Sequence, residues 1–557
     1  MDRRSFLKGT AAAAAAAGGG LIKASARGDG FDLVVKGGLV YDGLGSPPVA
    51  ADIGISREFI RTVGKIANTG RAAVIDARGL AVSPGFIDVH DHSDVGLLAN
   101  PKAESAVHQG ITTVVSGQCG SAPFPVVPAA LEELKRNAAG VFGVNWDWSD
   151  MTGFLIRLER QGIGVNYATL VGNGPVRGAV VGLTDRPATT DEVGRMKALV
   201  AWHLRAGAFG LSSGLEYQPS GFARPAEITE LCRPVAEASG VYATHLRDEG
   251  DGLLEALDEA VTAARASGVK LQISHFKTAY RRNWDKLDAA LDRLERARRD
   301  GLDVMCDRYP YIAASTGLSF FFPAWAKEGT TEDFLARLRE PSLEPRLRAH
   351  LDEQERKLGS WDKVVISSVM TEKNRRLQGR DVAGAAREAG LGPFEFMRGL
   401  IVEEKDNVGM VEFIMNDDNL RRILAHPLVG VGCDSWTAAP YGILGRGRPH
   451  PRAYGTFPRA LGRYVREEKL LPLEAMIRKM TSVPASRFGF ANRGALKPGC
   501  HADLVVFDPE KIEDQATWQD PHRYPQGIRC VIVNGRLTVD DNEHTGALAG
   551  RVLRKEV

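Results

Sequence analysis

The chain has little of what marks a stapled, nucleic-acid-binding or membrane-embedded protein. Its 557 residues include only six cysteines, Cys119, Cys232, Cys306, Cys433, Cys500 and Cys530, widely spaced and never paired as Cys-x-x-Cys. A disulfide framework is not expected, and a chain of this length does not need one to fold. No run of five or six like charges occurs, and the net charge is only +2. That excludes a strongly basic surface, so nucleic acid is not expected as a partner. Past the N-terminus no apolar run reaches the roughly 20 residues needed to cross a bilayer, so stable membrane association is not expected either. What remains is ordinary for a globular enzyme, with 25% charged and 44% apolar residues.

The first segment reads as an address. Arg3-Arg4-Ser5-Phe6-Leu7-Lys8 precedes a weakly apolar, alanine-rich stretch from Thr10 to Ile22, and Ala24-Ser25-Ala26 supplies the small residues read by a signal peptidase. Residues 1–26 are thus expected to be a twin-arginine signal, with the twin-arginine export machinery as partner and a periplasmic or secreted mature protein. That route carries folded proteins, which suits an enzyme whose metal is loaded inside the cell.

From Phe31 short alternating strands punctuated by Gly and Pro predict a small β unit, and similar strands return near Ala502–Phe507 and Cys530–Gly535. The pattern predicts one β-sandwich built from both ends of the chain, residues 27–83 and 491–557, with a catalytic domain at 84–490 between them. There, apolar strands alternate with amphipathic helices such as Gly252 to Ala266 and Trp284 to Asp300. Eight such strands, the last from Leu428 to Gly432, predict an α/β fold of the (β/α)₈ TIM-like barrel type. A long insertion at about 320–418 carries its own helices and a strand at Val364 to Ser367. A doubly wound sheet is the alternative, because counting strands does not prove that they close.

The chemistry concentrates at predicted strand ends. Pro84-Gly85-Phe86-Ile87-Asp88-Val89-His90-Asp91-His92 is an apolar strand ending in His-x-His, and alternate strand residues face one way. Cys119, His245 and His275 end three further strands, and in a parallel barrel all such ends meet at one face. Imidazole and thiolate are ligands that Zn²⁺ prefers. Five of them, His90, His92, Cys119, His245 and His275, could hold one or two ions sharing Cys119. Zinc lowers the pKa of bound water to about 7, supplying hydroxide at neutral pH. Asp434 follows the last strand, where a carboxylate could take a proton and return it to a leaving nitrogen. Singly these residues have ordinary readings: a chance His-x-His, a buried core thiol, a helix cap. Together, on separate strand ends, they argue for a metal site.

The sequence resembles the D-aminoacylase (N-acyl-D-amino-acid deacylase) family of the amidohydrolase superfamily, from Phe31 to about Gly535. The resemblance rests on the His90 segment, Gly110-Ile111-Thr112-Thr113-Val114-Val115-Ser116-Gly117-Gln118-Cys119-Gly120, Thr244-His245-Leu246-Arg247-Asp248-Glu249-Gly250, Ser274-His275-Phe276-Lys277, Tyr309-Pro310-Tyr311 and the run from His450 to Arg459. It implies a tightly bound zinc on Cys119, His245 and His275, a second, weaker ion on His90 and His92, and Asp434 as acid and base. It also implies a small-molecule substrate bound by Lys277, Tyr309, Ser315 and Arg452, with Arg452 and Tyr309 on its α-carboxylate. A guanidinium suits that task because it meets a carboxylate with two parallel hydrogen bonds. Two departures stand out: Asp91 between the two histidines and Ser435-Trp436 after Asp434. The competing functions are a dipeptidase or cyclic-amide hydrolase of the same superfamily, and a non-catalytic scaffold. The scaffold has no physical need for the ligand set.

Overall fold

Strand and helix segments alternate from Pro84 onward, and in the computed structural model, which describes residues 30–556, they close a parallel barrel. Its eight strands are Phe86–Asp88, Ile111–Ser116, Asn166–Thr169 (continued by Val171–Gly172), Gly210–Gly214, Val241–His245, Lys270–Ile273, Val304–Arg308 and Val429–Val431. Neighbours pair in parallel in that order. The eighth strand then returns to the first: Asp434 N donates to His90 O and His92 N to Ser435 O, each at 2.8 Å. Closure removes the free edges that a doubly wound sheet would leave, so the barrel reading holds.

Strand Ile111–Ser116 is wholly apolar or hydroxyl-bearing and buried throughout, because both faces of the barrel wall are covered. The helices outside bury one stripe each; Leu253–Ser267 turns Leu253, Ala256, Leu257, Ala260, Ala263 and Ala264 inward at helical spacing. The predicted helix at Trp284 to Asp300 runs Leu287–Arg299, behind a 3₁₀ turn at Arg281–Lys286 where Lys286 Nζ is drawn to Asp251 O at 2.6 Å. Helix Thr190–Arg205 opens on a capping box between Thr189 and Glu192. The twin-arginine signal lies outside the described residues.

The β unit is one nine-stranded sheet drawing on both ends of the chain. Ala81–Pro84 pairs antiparallel with Leu504–Phe507, joining the two halves. At the far edge Phe59 bridges to His501, and Ile60 N donates to Cys500 O at 2.9 Å. The sheet therefore curls, and its two layers enclose Val35, Ile53, Ile60, Leu504 and Ile532. The last residues leave this sheet. Tyr167 N donates to Arg551 O at 2.8 Å and Leu553 N to Tyr167 O at 2.7 Å, so the C-terminal segment lies along the third barrel strand.

The insertion follows the seventh strand and has its own apolar core, including Leu335, Leu351, Trp361 and Met397. Its antiparallel sheet, Ala314–Gly317, Gly409–Glu412 and Val364–Ser368, begins before position 320 because the Ala-Ser-Thr-Gly strand carries no apolar alternation to announce it. This sheet stands over the C-terminal mouth of the barrel, where Ala314, Ser315 and Glu412 share a cavity with Cys119 and Asp434.

Candidate active site

Cys119, His275 and Asp434, all at this mouth, adopt backbone conformations that L side chains rarely adopt, with φ of 50°, 35° and 52°. Strain of this kind persists only where the surroundings impose it, and it aims side chains that regular strand geometry could not. Two glycines make room. A Cβ on Gly117, two residues before Cys119, would stand 2.3 Å from Leu170 O, and one on Gly432 would stand 2.8 Å from the Cβ of His90.

His90, Cys119, His275 and Asp434 converge, their ligand atoms all within 4.8 Å of one another. Cys119 Sγ lies 3.3 Å from both His90 Nε2 and His275 Nε2, and Asp434 Oδ1 lies 3.4 Å from His90 Nε2. The buried Asp307 carboxylate sits 3.0 Å from His90 Nδ1 and accepts from His275 N at 2.7 Å and Gln272 Nε2 at 2.8 Å. Asp307 accepts the Nδ1 proton of His90, which leaves the Nε2 lone pair pointing at the thiol. Glu249 Oε1 sits 2.9 Å from His275 Nδ1, and donation to it frees Nε2 of His275 in the same way.

This donor set suits zinc. Tetrahedral coordination with Zn–S of about 2.3 Å and Zn–N of about 2.0 Å places ligand atoms roughly 3.5 Å apart, and carboxylates behind the imidazoles are the usual support. Burial, and then the Asp434 carboxylate, push the Cys119 thiol well above its ordinary value, and a cation beside it would favour the thiolate.

The other predicted ligands sit around this group rather than in it. His92 Nε2 is 3.2 Å from Asp434 Oδ1, the same oxygen that His90 approaches. His245 forms a second group with His275 and Glu249, its ring 4.5 Å from that of His275, while its Nε2 lies 2.9 Å from Glu216 Oε2. Burial opposes charge on His245, but Glu249 and Glu216 outweigh it and raise its pKa.

Asp434 is largely enclosed, in surroundings that favour its charged form. Burial works against its charge, but Arg452 and then His275 hold the carboxyl well below the usual range. Arg452 Nη1 lies 2.8 Å from Asp434 Oδ2 without the alignment of a hydrogen bond; its Nε is buried without a partner and its Nη2 reaches Ser315 O at 3.4 Å. The guanidinium lies 4.5 Å from the Tyr309 ring centre, and the Tyr309 hydroxyl is also buried and unpartnered. Ser315 Oγ is spent on Met410 O at 2.8 Å. Lys277 is spent too, its Nζ donating to both oxygens of Glu249. All four predicted substrate residues line one cavity of about 720 Å³ with Cys119, His275 and Asp434.

Comparison with known proteins matches the chain and its fold to a family. The model described as "Amidohydrolase family" matches residues 73–539, and one for the twin-arginine translocation signal matches residues 1–20. The chain is 34% identical to a D-aminoacylase of Alcaligenes xylosoxydans xylosoxydans, across 94% of this chain and 98% of that protein. It is 37% identical to an N-acyl-D-aspartate deacylase of the same organism, across 93% of each. The crystal structure of the N-acyl-D-glutamate deacylase from Bordetella bronchiseptica, complexed with zinc and a phosphonate inhibitor mimicking the tetrahedral intermediate, superposes with a TM-score of 0.80 at 34% identity, covering 94% of this chain and all of that one. The chain belongs to the amidohydrolase family, in its D-aminoacylase branch.

As an amidohydrolase it is a metal-dependent hydrolase of amide bonds, and its N-terminal signal marks it for export across the membrane. No helix among the described residues is long and apolar enough to cross a bilayer. Within this amidohydrolase site, sequence reasoning missed Glu216, Asp307 and Glu412 and gave Glu249 no role. Glu249 had a signal, standing four residues after His245 in a motif already singled out. Asp307 had a weaker one, its place at the end of the seventh strand. Asp91, the departure between the histidines, is a latch: it accepts from Ser93 N and Ser93 Oγ, each at 2.7 Å, and from Ser116 Oγ, tying the first strand end to the second. Trp436 lines the cavity and is 42% exposed.

Proposed function

We propose that the protein hydrolyses the amide bond of N-acyl-D-amino acids, releasing a carboxylate and the free D-amino acid. The observation that carries this reading is the convergence of His90, Cys119, His275 and Asp434 beside the partly unpaired Arg452. Cys119 and His275, with His245 drawn in from the neighbouring group, would hold a zinc ion, and His90 and His92 would hold a second, weaker one. Zinc supplies Lewis acidity, which polarises a carbonyl and makes water acidic enough to ionise near neutral pH.

The chain's own residues do the rest. Asp434, its carboxyl held low by Arg452 and His275 and next to both His90 and His92, accepts the proton of the attacking water and returns it to the leaving nitrogen. Arg452 and Tyr309 orient the substrate's α-carboxylate; the free Nε edge and the unpartnered phenol offer the donors it needs. Ser315 and Lys277 line the cavity close by, and Lys277 also locks Glu249 against His275. The D configuration follows from the relatives' activities, which are toward N-acyl-D-aspartate, N-acyl-D-glutamate and other D-amino acid derivatives by name.

The test is Asp434→Asn, which keeps the shape of the side chain but cannot accept the proton. With zinc content confirmed as wild type, kcat on N-acetyl-D-amino acids should fall by about 10²–10⁴. Retention of more than about a tenth of the activity would remove Asp434 from the mechanism.

A further inference from the structure

No step assigned to the site uses Glu412. It ends the insertion strand Gly409–Glu412, in register between Ala314 and Val364, and is only 3% exposed. It lines the same cavity as Cys119 and Asp434. Its Oε2 is buried without a hydrogen-bond partner among the described residues. Lys277, the cation that bears on it most, is already held by both oxygens of Glu249. The strongest charge opposing it is Glu216, which also lines the cavity and is itself bonded to His245. Burial and this repulsion push Glu412 up to about 8.

A buried carboxyl with no partner is unfavourable, and an apolar side chain of similar size would occupy the position without that cost. The arrangement becomes favourable when something in the cavity supplies the missing partner. A second carboxylate would be repelled by Glu216 and, having no proton to donate, would not satisfy the unpaired oxygen. A neutral donor would satisfy the one oxygen and leave the two acids opposed. A cation satisfies the oxygen and offsets the repulsion together. We propose that Glu412, backed by Glu216, forms a subsite for a positively charged group of the substrate. This deepens the deacylase reading and rests on it for the identity of the cavity as the substrate site. The charge has two chemical sources: the basic side chain of the amino acid, or the free amino group of an aminoacyl donor, as in a dipeptide with a C-terminal D residue.

Two matched pairs of compounds distinguish these sources, since each pair differs by one ammonium group. N-acetyl-D-lysine against N-acetyl-D-norleucine probes the side chain, and glycyl-D-leucine against N-acetyl-D-leucine probes the acyl end. Binding is measured by calorimetry on zinc-loaded Asp434→Asn protein, and kcat/KM on the wild type. In one pair the cation should be preferred by about tenfold or more, and Glu412→Gln should collapse that ratio. A merely structural role would weaken both members alike and leave the ratio unmoved. No preference for the cation in either pair, or a preference that survives Glu412→Gln, overturns the subsite. Turnover of none of the four compounds, with the binding preference intact, overturns the deacylase reading and leaves the subsite standing.

Discussion

Arg452 is nearly buried, at 4% exposure, and its guanidinium is divided between a carboxylate inside the protein and space for one outside. If it anchors the substrate's α-carboxylate, Arg452→Ala should lower kcat/KM strongly for acids and much less for substrates whose carboxylate is replaced by an amide. Equal losses on both would assign Arg452 to Asp434 alone. Cys119 stands between two imidazoles, so Cys119→Ala should deplete zinc from the purified protein, read by elemental analysis. Zinc at wild-type content in that variant would remove Cys119 from the ligand set. At this scale the sequence was legible where residue type is rare and position telling: His-x-His at a strand end, a cysteine after Gly-Gln, a histidine after Ala-Thr. Apart from Asp434, the carboxylates of the site went unread. Asp307 supports His90, 217 positions away, and its place near the end of the seventh strand is a faint mark beside that distance. Glu216 and Glu412 face the same difficulty, since their meaning lies in what the barrel and the insertion bring opposite them.

Among the elements, barrel strands such as Ile111–Ser116 were readable because burial on both faces favours runs of apolar and β-branched residues. The C-terminal segment was not, because residues 550–555 hold the barrel through backbone bonds that leave no pattern in side chains. Four such bonds run from this segment: Gly550 N to Ile163 O, Tyr167 N to Arg551 O, Leu553 N to Tyr167 O and Lys555 N to Gly207 O. Each contributes about 0.5–1.5 kcal/mol net. Truncation after Leu548 should therefore lower the unfolding midpoint by a few degrees, followed by differential scanning calorimetry. An unchanged midpoint would show the segment to be an ornament of the barrel. The insertion's first strand was likewise hidden, Ala314–Gly317 being half-buried throughout and carrying small polar residues that serve the cavity rather than a core.

At the scale of the whole molecule, both ends of the chain close one sheet, the middle closes one barrel, and the leader directs export of the finished fold. Fusion of residues 1–26 to a reporter should carry it out of the cytoplasm in folded form, and Arg3→Lys with Arg4→Lys should stop it. Equal export of the double variant, by fractionation, would mean the arginines are not read. The central claim is hydrolysis of N-acyl-D-amino acids dependent on zinc, and one measurement reaches it directly: release of free amine from paired N-acetyl-D- and N-acetyl-L-amino acids by the mature protein as purified, after chelation, and after zinc is restored. The account predicts activity on the D members alone, lost on chelation and recovered with zinc. Hydrolysis of the L members at an equal rate, or activity indifferent to chelation in protein verified to be free of metal, would contradict it.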